Sequence, residues 1–271
     1  METIERYEQK YLISPIIAQR IKQRIIPFVQ SDHFSENGRY KVLSLYLDGI
    51  SRPFYQATKD QRSQRLKLRI RTYGGNQVFL EIKRKVRGMI WKSRVKLSLE
   101  NYALLFNQRN HKISRQQRRT SLQHLTPKQR DILNEFLFWR DRYQATPQYW
   151  VGYEREGFQS PDGDYARITF DTRVKAQTTH TFQVPPQIIS DYQTSWRRVD
   201  FATHLRSKSA DIILELKSER RVPLWMSDLC QQFNLSALGV SKYVLAVDYS
   251  DVVSEKYRLS EQLTSQKGHF K

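Results

Sequence analysis

Cysteine is almost absent: Cys230 stands alone among 271 residues. An intrachain disulfide is therefore excluded, which fits a reducing compartment. No apolar run approaches the length of a membrane span. The amino-terminal METIERYEQKYL is too polar for a signal peptide. Together these absences lead to the expectation of a cytoplasmic protein, with membrane contact confined to its periphery or to a membrane-protein partner. Glycine and proline number only 10 and 9, and no stretch rich in them divides the chain. The histidines, His33, His111, His124, His180, His204 and His269, show no ligand spacing, so zinc is not expected. Acid is scarce too: 27 acidic against 46 basic residues leave a formal net charge of +19. Such an excess selects polyanionic partners, whether nucleic acid, phosphates or an anionic membrane surface.

What is abundant is a period of two. In RLKLRIRTYGGNQVFLEIKRK, residues 65–85, the odd positions carry Arg65, Lys67, Arg69 and Arg71, then Phe79, Glu81, Lys83 and Lys85. The even positions carry Leu66, Leu68 and Ile70, then Val78, Leu80 and Ile82. This alternation around Gly74-Gly75-Asn76 predicts a hairpin of two half-buried strands. Further strands are predicted over 4–13, 42–49, 91–99, 149–156, 165–174, 211–219 and 241–249. Ser14-Pro15 and Thr126-Pro127 each read as an N-cap followed by a first-turn proline, and so open helices. The first of these carries an apolar stripe of Ile16, Ile17, Ile21, Ile25 and Phe28. Helices are also predicted over NYALLF (101–106) and VPLWMSDLCQQF (222–233). ISRQQRRTSLQH (113–124) is basic and irregular, a polar connector holds Pro185-Pro186, and residues 254–271 form a polar tail. At 39% hydrophobic residues the chain has material for a sizeable core. The expectation is one α+β domain over residues 1–253, built on a large antiparallel sheet or barrel.

One short pattern recurs on predicted strands: Glu8-x-Lys10, Glu81-x-Lys83 and Glu215-x-Lys217. At this spacing both charges leave the same face of a strand. Lys92 and Arg94, and Arg167, Asp171 and Arg173, likewise share a parity. Two architectures accommodate such a face. It is either the solvated side of an antiparallel sheet, or the lining of a curled sheet that holds water and a polyanion. The second follows from a charged face made mostly of Arg and Lys, while the opposite faces are apolar enough to be buried. Arginine forks match phosphate oxygens, and lysine supplies point charge. A few carboxylates beside them can hold a divalent cation, which prefers oxygen ligands and bridges phosphates. The set suits a triphosphate or longer phosphate chain with a metal ion.

RYEQKYLI, LYLD, RLKLRIRTYG, FLEIKRK, YERE, RITFDTRV, LELK and SKYVLAVD, in this order over residues 4–249, resemble the polyphosphate-polymerase (VTC) domain. That domain is one of the CYTH-like triphosphate tunnel metalloenzymes. The resemblance implies a closed antiparallel β-barrel tunnel with a basic lumen and helices packed outside. It implies transfer of the ATP γ-phosphate to a polyphosphate chain, with Mn²⁺ or Mg²⁺ as cofactor. By the same resemblance, Lys10, Arg69, Arg71, Lys83 and Lys242 serve catalysis. Lys92, Arg94, Arg155, Arg167 and Lys217 bind phosphates, and Glu215 holds the metal. Glu81 is read from the residues either as a second metal ligand or as an offset to the basic charge beside it. One position departs from the wider CYTH pattern E-x-E-x-K: Arg6 stands where the first carboxylate is found.

Three function classes follow. They are an ATP-dependent polyphosphate polymerase, a hydrolase of inorganic triphosphate or nucleoside triphosphates, and a non-catalytic polyanion-binding module. A specific nucleic-acid binder is disfavoured. The charge follows strand parity and not one helix or an aromatic-studded surface.

Overall fold

The structure, a computed structural model, describes residues 6–32, 38–87, 89–106, 122–161, 165–184, 196–199, 212–219 and 221–250. Ten strands make one sheet: β1 (Arg6–Ile13), β2 (Gln30–Ser31), β3 (Arg39–Asp48), β4 (Gln64–Thr72), β5 (Gln77–Val86), β6 (Met89–Ser98), β7 (Thr146–Gln159), β8 (Ala166–Thr178), β9 (Arg197–Arg198) and β10 (Ile212–Glu219). The main order is β1-β10-β8-β7-β3-β4-β5-β6, with β2 beside β7 and β9 beside β8. Every pairing is antiparallel. The helices are α1 (Pro15–Ile25), α2 (Pro53–Lys59), α3 (Leu99–Phe106), α4 (Pro127–Arg142), α5 (Leu224–Gln232) and α6, residues 242–250. Among the described residues, no helix is long and apolar enough to cross a membrane.

Local chemistry sets the element boundaries. The Ser14 hydroxyl accepts the Ile17 N–H at the start of α1, and Thr126 and Gln129 form a reciprocal capping box at the start of α4. Gly74 and Gly75 both have positive φ, 96° and 67°, which the β4–β5 turn requires. Asp48, fully buried at the end of β3, accepts the N–H groups of Gly49, Phe54 and Tyr55 and so anchors α2.

The outer face of the sheet is apolar. Leu45, Leu68, Ile70, Leu80, Ile82 and Val95 pack with Tyr102 and Phe106 of α3 and Leu133 and Phe136 of α4. Ile168, Phe170, Leu214 and Leu216 pack with Ile21 and Ile25 of α1 and Met226 and Leu229 of α5. The charged parity therefore faces inward, as the curled-sheet architecture requires.

Four expectations are corrected. The sheet does not close into a barrel: no backbone pairing joins β1 to β6 among the described residues. A charged contact spans the opening from one strand inside the β6 edge: Lys83 on β5 donates to both Glu8 oxygens on β1, at 3.0 and 3.2 Å. Residues 242–250 are helical, not a strand; a short apolar run such as YVLAV fits either element by composition. α6 lies on the inner side, where Tyr243 stacks on Tyr46 at 5.0 Å and donates to Asp48 at 2.8 Å. Ile16 is 72% exposed and Phe28 is also exposed, so the α1 stripe narrows to its buried members. Finally, Arg173 leaves the inward parity. It has φ +53°, and it lies where the β7–β8 register shifts between Gly152 and Glu154, a β-bulge. Its guanidinium pairs with Glu154. Residues 254–271 and most of the 113–124 segment and of the Pro185-Pro186 connector lie outside the described residues.

Candidate functional site

The inner face encloses a cavity of about 340 Å³, within the size range of small-molecule sites. Eleven basic side chains line it: Lys10, Lys67, Arg69, Arg71, Lys83, Lys92, Arg94, Arg155, Arg167, Lys217 and Lys242. They come from seven strands and from the first residue of α6. All ten basic residues singled out in the sequence are thus brought together; Lys67, though visible in the alternation, was left out of that set. Cross-strand register explains the convergence, because residues directly opposite each other share a face. Lys10 lies opposite Glu215, Lys217 opposite Arg167, Arg155 opposite Asp171 and Arg69 opposite Glu81.

The acids fall into two groups. Glu8, Glu215 and Glu219 line the cavity. Lys10 joins the first two, 3.2 Å from Glu215 Oε1 and 3.6 Å from Glu8 Oε1. Glu215 also meets Lys217 at 2.8 Å, Arg155 at 3.4 Å and Lys242 at 3.6 Å. The second group lies beneath the cations. Asp171 accepts both Nε and Nη2 of Arg155, at 2.6 and 2.7 Å, and Lys242 at 2.6 Å. Glu81, 1% exposed, accepts Arg69 Nε and has Lys92 Nζ 3.1 Å from its other oxygen. Asp32 holds Arg167 at 2.5 Å and the Tyr40 hydroxyl at 3.0 Å. Asp32 escaped sequence reasoning because it belongs to no alternating strand.

Of the two expected metal ligands, Glu215 faces the cavity and Glu81 does not. Among the described residues, no three His, Cys, Asp or Glu side chains gather as a metal cluster. Glu8 and Glu215 fit a smaller role. A hard divalent cation commonly uses one or two carboxylates and completes its shell with substrate phosphates and water.

The charge balance is uneven. Burial raises the Glu215 carboxyl, but Lys10, Lys217, Lys242 and Arg155 outweigh it and hold the group well below the carboxylate range. Burial lowers Lys10, yet Glu215 and Glu8 lift it above the usual lysine range. The β4–β6 side differs. Burial, with Lys10, Lys83 and Arg69 nearby, pushes Lys67 well below the ordinary value. Burial, with Arg69 and Arg71 adding to it against Glu81, pushes Lys92 down to about 7. Lys83 is lowered in the same way, burial outweighing Glu8. This part of the cavity holds more positive charge than the protein neutralises, which is the electrostatic demand of a polyanion site.

Lys67 donates to Ser241 Oγ at 3.0 Å and Lys10 to the Val240 carbonyl at 3.3 Å. The chain entering α6 therefore lies against the cavity, where Ser241 and Lys242 join its lining.

An open, curled antiparallel sheet with a polycationic cavity on its inner face defines an α+β class of protein. The chain belongs to the VTC domain family, whose model matches residues 5–250. No curated protein matches the chain. Solved structures similar to it include HpAC1 from Hippeastrum, described for a dominant triphosphatase activity, at 13% identity and TM-score 0.49, covering 90% of this chain and 96% of that one. Another is PH1819 from Pyrococcus horikoshii, at 12% identity and TM-score 0.44, covering 90% and 99%. A third is a Bacillus halodurans protein described as a candidate adenylate cyclase, at 12% identity and TM-score 0.44, covering 89% and 96%.

Proposed function

We propose that the protein is a metal-dependent phosphotransferase that moves the γ-phosphate of ATP onto a polyphosphate chain held in the cavity. The observation that carries this reading is the lining of eleven basic side chains against Glu8, Glu215 and Glu219. Membership of the VTC family supports it. Phosphoryl transfer asks the protein for alignment and neutralised charge more than for covalent chemistry. In this reading Arg69, Arg71, Lys83, Lys92, Arg94, Arg155, Arg167 and Lys217 bind and orient the phosphates. Lys10 and Lys242 neutralise charge as it develops on the transferred and leaving groups. Glu215, with Glu8 across Lys10, would hold Mn²⁺ or Mg²⁺. Such an ion supplies charge neutralisation at phosphate oxygens. A substrate of ATP fits a cytoplasmic location.

A second reading, hydrolysis of a triphosphate, is favoured by one feature. The cavity of about 340 Å³ is small, with Ser241 and Lys242 at the start of α6 in its lining, which suits a short phosphate chain.

Incubation of the purified protein with ATP and Mn²⁺, in parallel with Glu215→Ala, separates the readings. Polyphosphate and ADP, both lost in the variant, are the expected products. Free phosphate without chains would replace the polymerase by a triphosphatase. Absence of turnover under conditions where polyphosphate binds would overturn both in favour of a binding module.

A further inference from the structure

Glu81 shares the E-x-K spacing of the cavity-lining acids, yet it lies beneath the cavity floor. We infer that Glu81 is a positioning residue, a buried counter-anion that holds Arg69, Arg71 and Lys92 in the attitude that phosphoryl transfer needs, and not a metal ligand. The inference rests on the phosphate-binding reading above.

The geometry is specific. β5 runs between β4 and β6, so Glu81 has a cationic neighbour on each side: Arg69 opposite it on β4 and Arg94 opposite it on β6, with Lys92 two residues away. One carboxylate oxygen accepts Arg69 Nε and lies 3.8 Å from Arg71 Nε. The other has Lys92 Nζ at 3.1 Å. Both oxygens are thus within ion-pair reach of cations. A divalent ion on this carboxylate would lie among three positive side chains, which is electrostatically opposed.

The guanidinium atoms point to the same role. Arg69 turns its Nε to Glu81, and Arg71 turns its Nε to Ser44 Oγ at 3.2 Å. Among the described residues, their terminal nitrogens make long contacts, 3.5 Å from Arg69 to the Tyr46 hydroxyl, and 3.5 and 3.4 Å from Arg71 to the Tyr73 and Tyr153 hydroxyls. An arginine fork fixed through Nε presents its paired terminal N–H groups to an oxyanion. Both arginines line the cavity, so those groups are the ones a phosphate meets.

A positioning anion and a metal ligand give opposite signs on removal. Loss of a metal ligand weakens binding of the metal. Loss of a counter-anion deletes a negative charge next to the phosphate, so a metal-free phosphate chain binds as well as before or better. Turnover falls all the same, because the cations lose their orientation.

The test is isothermal titration of tripolyphosphate in EDTA, with Mn²⁺ half-saturation followed separately by electron paramagnetic resonance. Glu81→Gln is expected to bind tripolyphosphate as tightly as the wild type or up to about tenfold tighter, with Mn²⁺ half-saturation unchanged. Glu215→Gln is expected to raise that half-saturation. The inference is overturned if Glu81→Gln shifts Mn²⁺ half-saturation as Glu215→Gln does, or weakens tripolyphosphate binding while melting like the wild type. Should Glu81→Gln fail to fold, Glu81→Asp keeps the charge and shortens its reach. It is expected to leave Mn²⁺ half-saturation unchanged and lower kcat without raising KM, and a shifted half-saturation would again sink the idea. A wild type that binds no tripolyphosphate would overturn the phosphate reading itself, a result distinct from either variant's.

Discussion

The wall of the cavity built from β4, β5 and β6 and the wall built from β1, β7, β8 and β10 with the start of α6 meet their charge in different ways. On the second wall acids and bases alternate. Glu8, Glu215 and Asp171 interleave with Lys10, Lys217, Arg155 and Lys242, and Lys10 is held above its usual range by the acids beside it. On the first wall a single buried carboxylate, Glu81, faces Arg69, Arg71 and Lys92. Lys67, Lys83 and Lys92 there are all pushed down by burial and crowding. The first wall therefore lacks negative charge and the second is nearly self-sufficient. In the function proposed above, a phosphate chain gains most along the first wall, and a cation would be held along the second, where Glu8 and Glu215 are open to the cavity.

The strongest way to break this contrast is to strip the first wall. Replacing both Arg69 and Arg71 by alanine removes two charge-assisted contacts, each of about 1.5–3 kcal/mol. Tripolyphosphate affinity is expected to fall on the order of 100-fold or more by titration calorimetry. A loss of less than about threefold would mean that the phosphates lie elsewhere.

A gentler probe is pH. Lys92, at about 7 when the cavity is empty, gains a proton as a polyanion binds. Binding near neutral pH is expected to take up protons, read as a dependence of the observed enthalpy on buffer ionisation heat. The same depressed lysines bear on stability. Between about 7 and the ordinary lysine value of 10.5, the unfolded chain holds the Lys92 proton and the folded chain does not. Stability from this group therefore rises with pH through that window. Tripolyphosphate is expected to flatten the rise, and a flat profile in its absence would remove the charge excess from the first wall.

The smallest effect is expected outside both walls. Tyr243→Phe removes one hydrogen bond to Asp48, which keeps its three backbone donors. A loss of about 1 kcal/mol in stability is expected by denaturant unfolding, with tripolyphosphate affinity unchanged. A changed affinity would tie α6 to the charged walls more closely than the hydrogen bonds do.

Much of this was legible in the sequence, because side-chain parity on a strand is a local property. The hairpin 65–85, the shared face of the Arg and Lys rows and the two Pro-opened helices follow from spacing and capping alone; that this face points inward does not. The boundary between lining and buried acids was not legible. Glu81 and Glu215 have the same local pattern, and their roles diverge through neighbours on other strands: Arg69 across β4 in one case, Lys10 across β1 in the other. α6 was read as a strand because its apolar residues are few and contiguous, and what covers them, Tyr46 and Tyr149 on β3 and β7, is remote in sequence. The open edge between β1 and β6 is likewise invisible locally. No residue of either strand announces whether its backbone finds a partner.

The bulge at Arg173 sets how β8 tolerates insertion and deletion. Asp171 faces inward, and after the extra residue Val174 and Ala176 also join the inner cluster. Dropping a single residue of β8 away from the bulge would exchange faces for what lies beyond it, sending charge into the apolar core. Dropping Thr172 or Arg173 would not, because either loss restores plain alternation from Asp171 to Val174. The bulge is where β8 can lose a residue and keep its remaining side chains on their own sides.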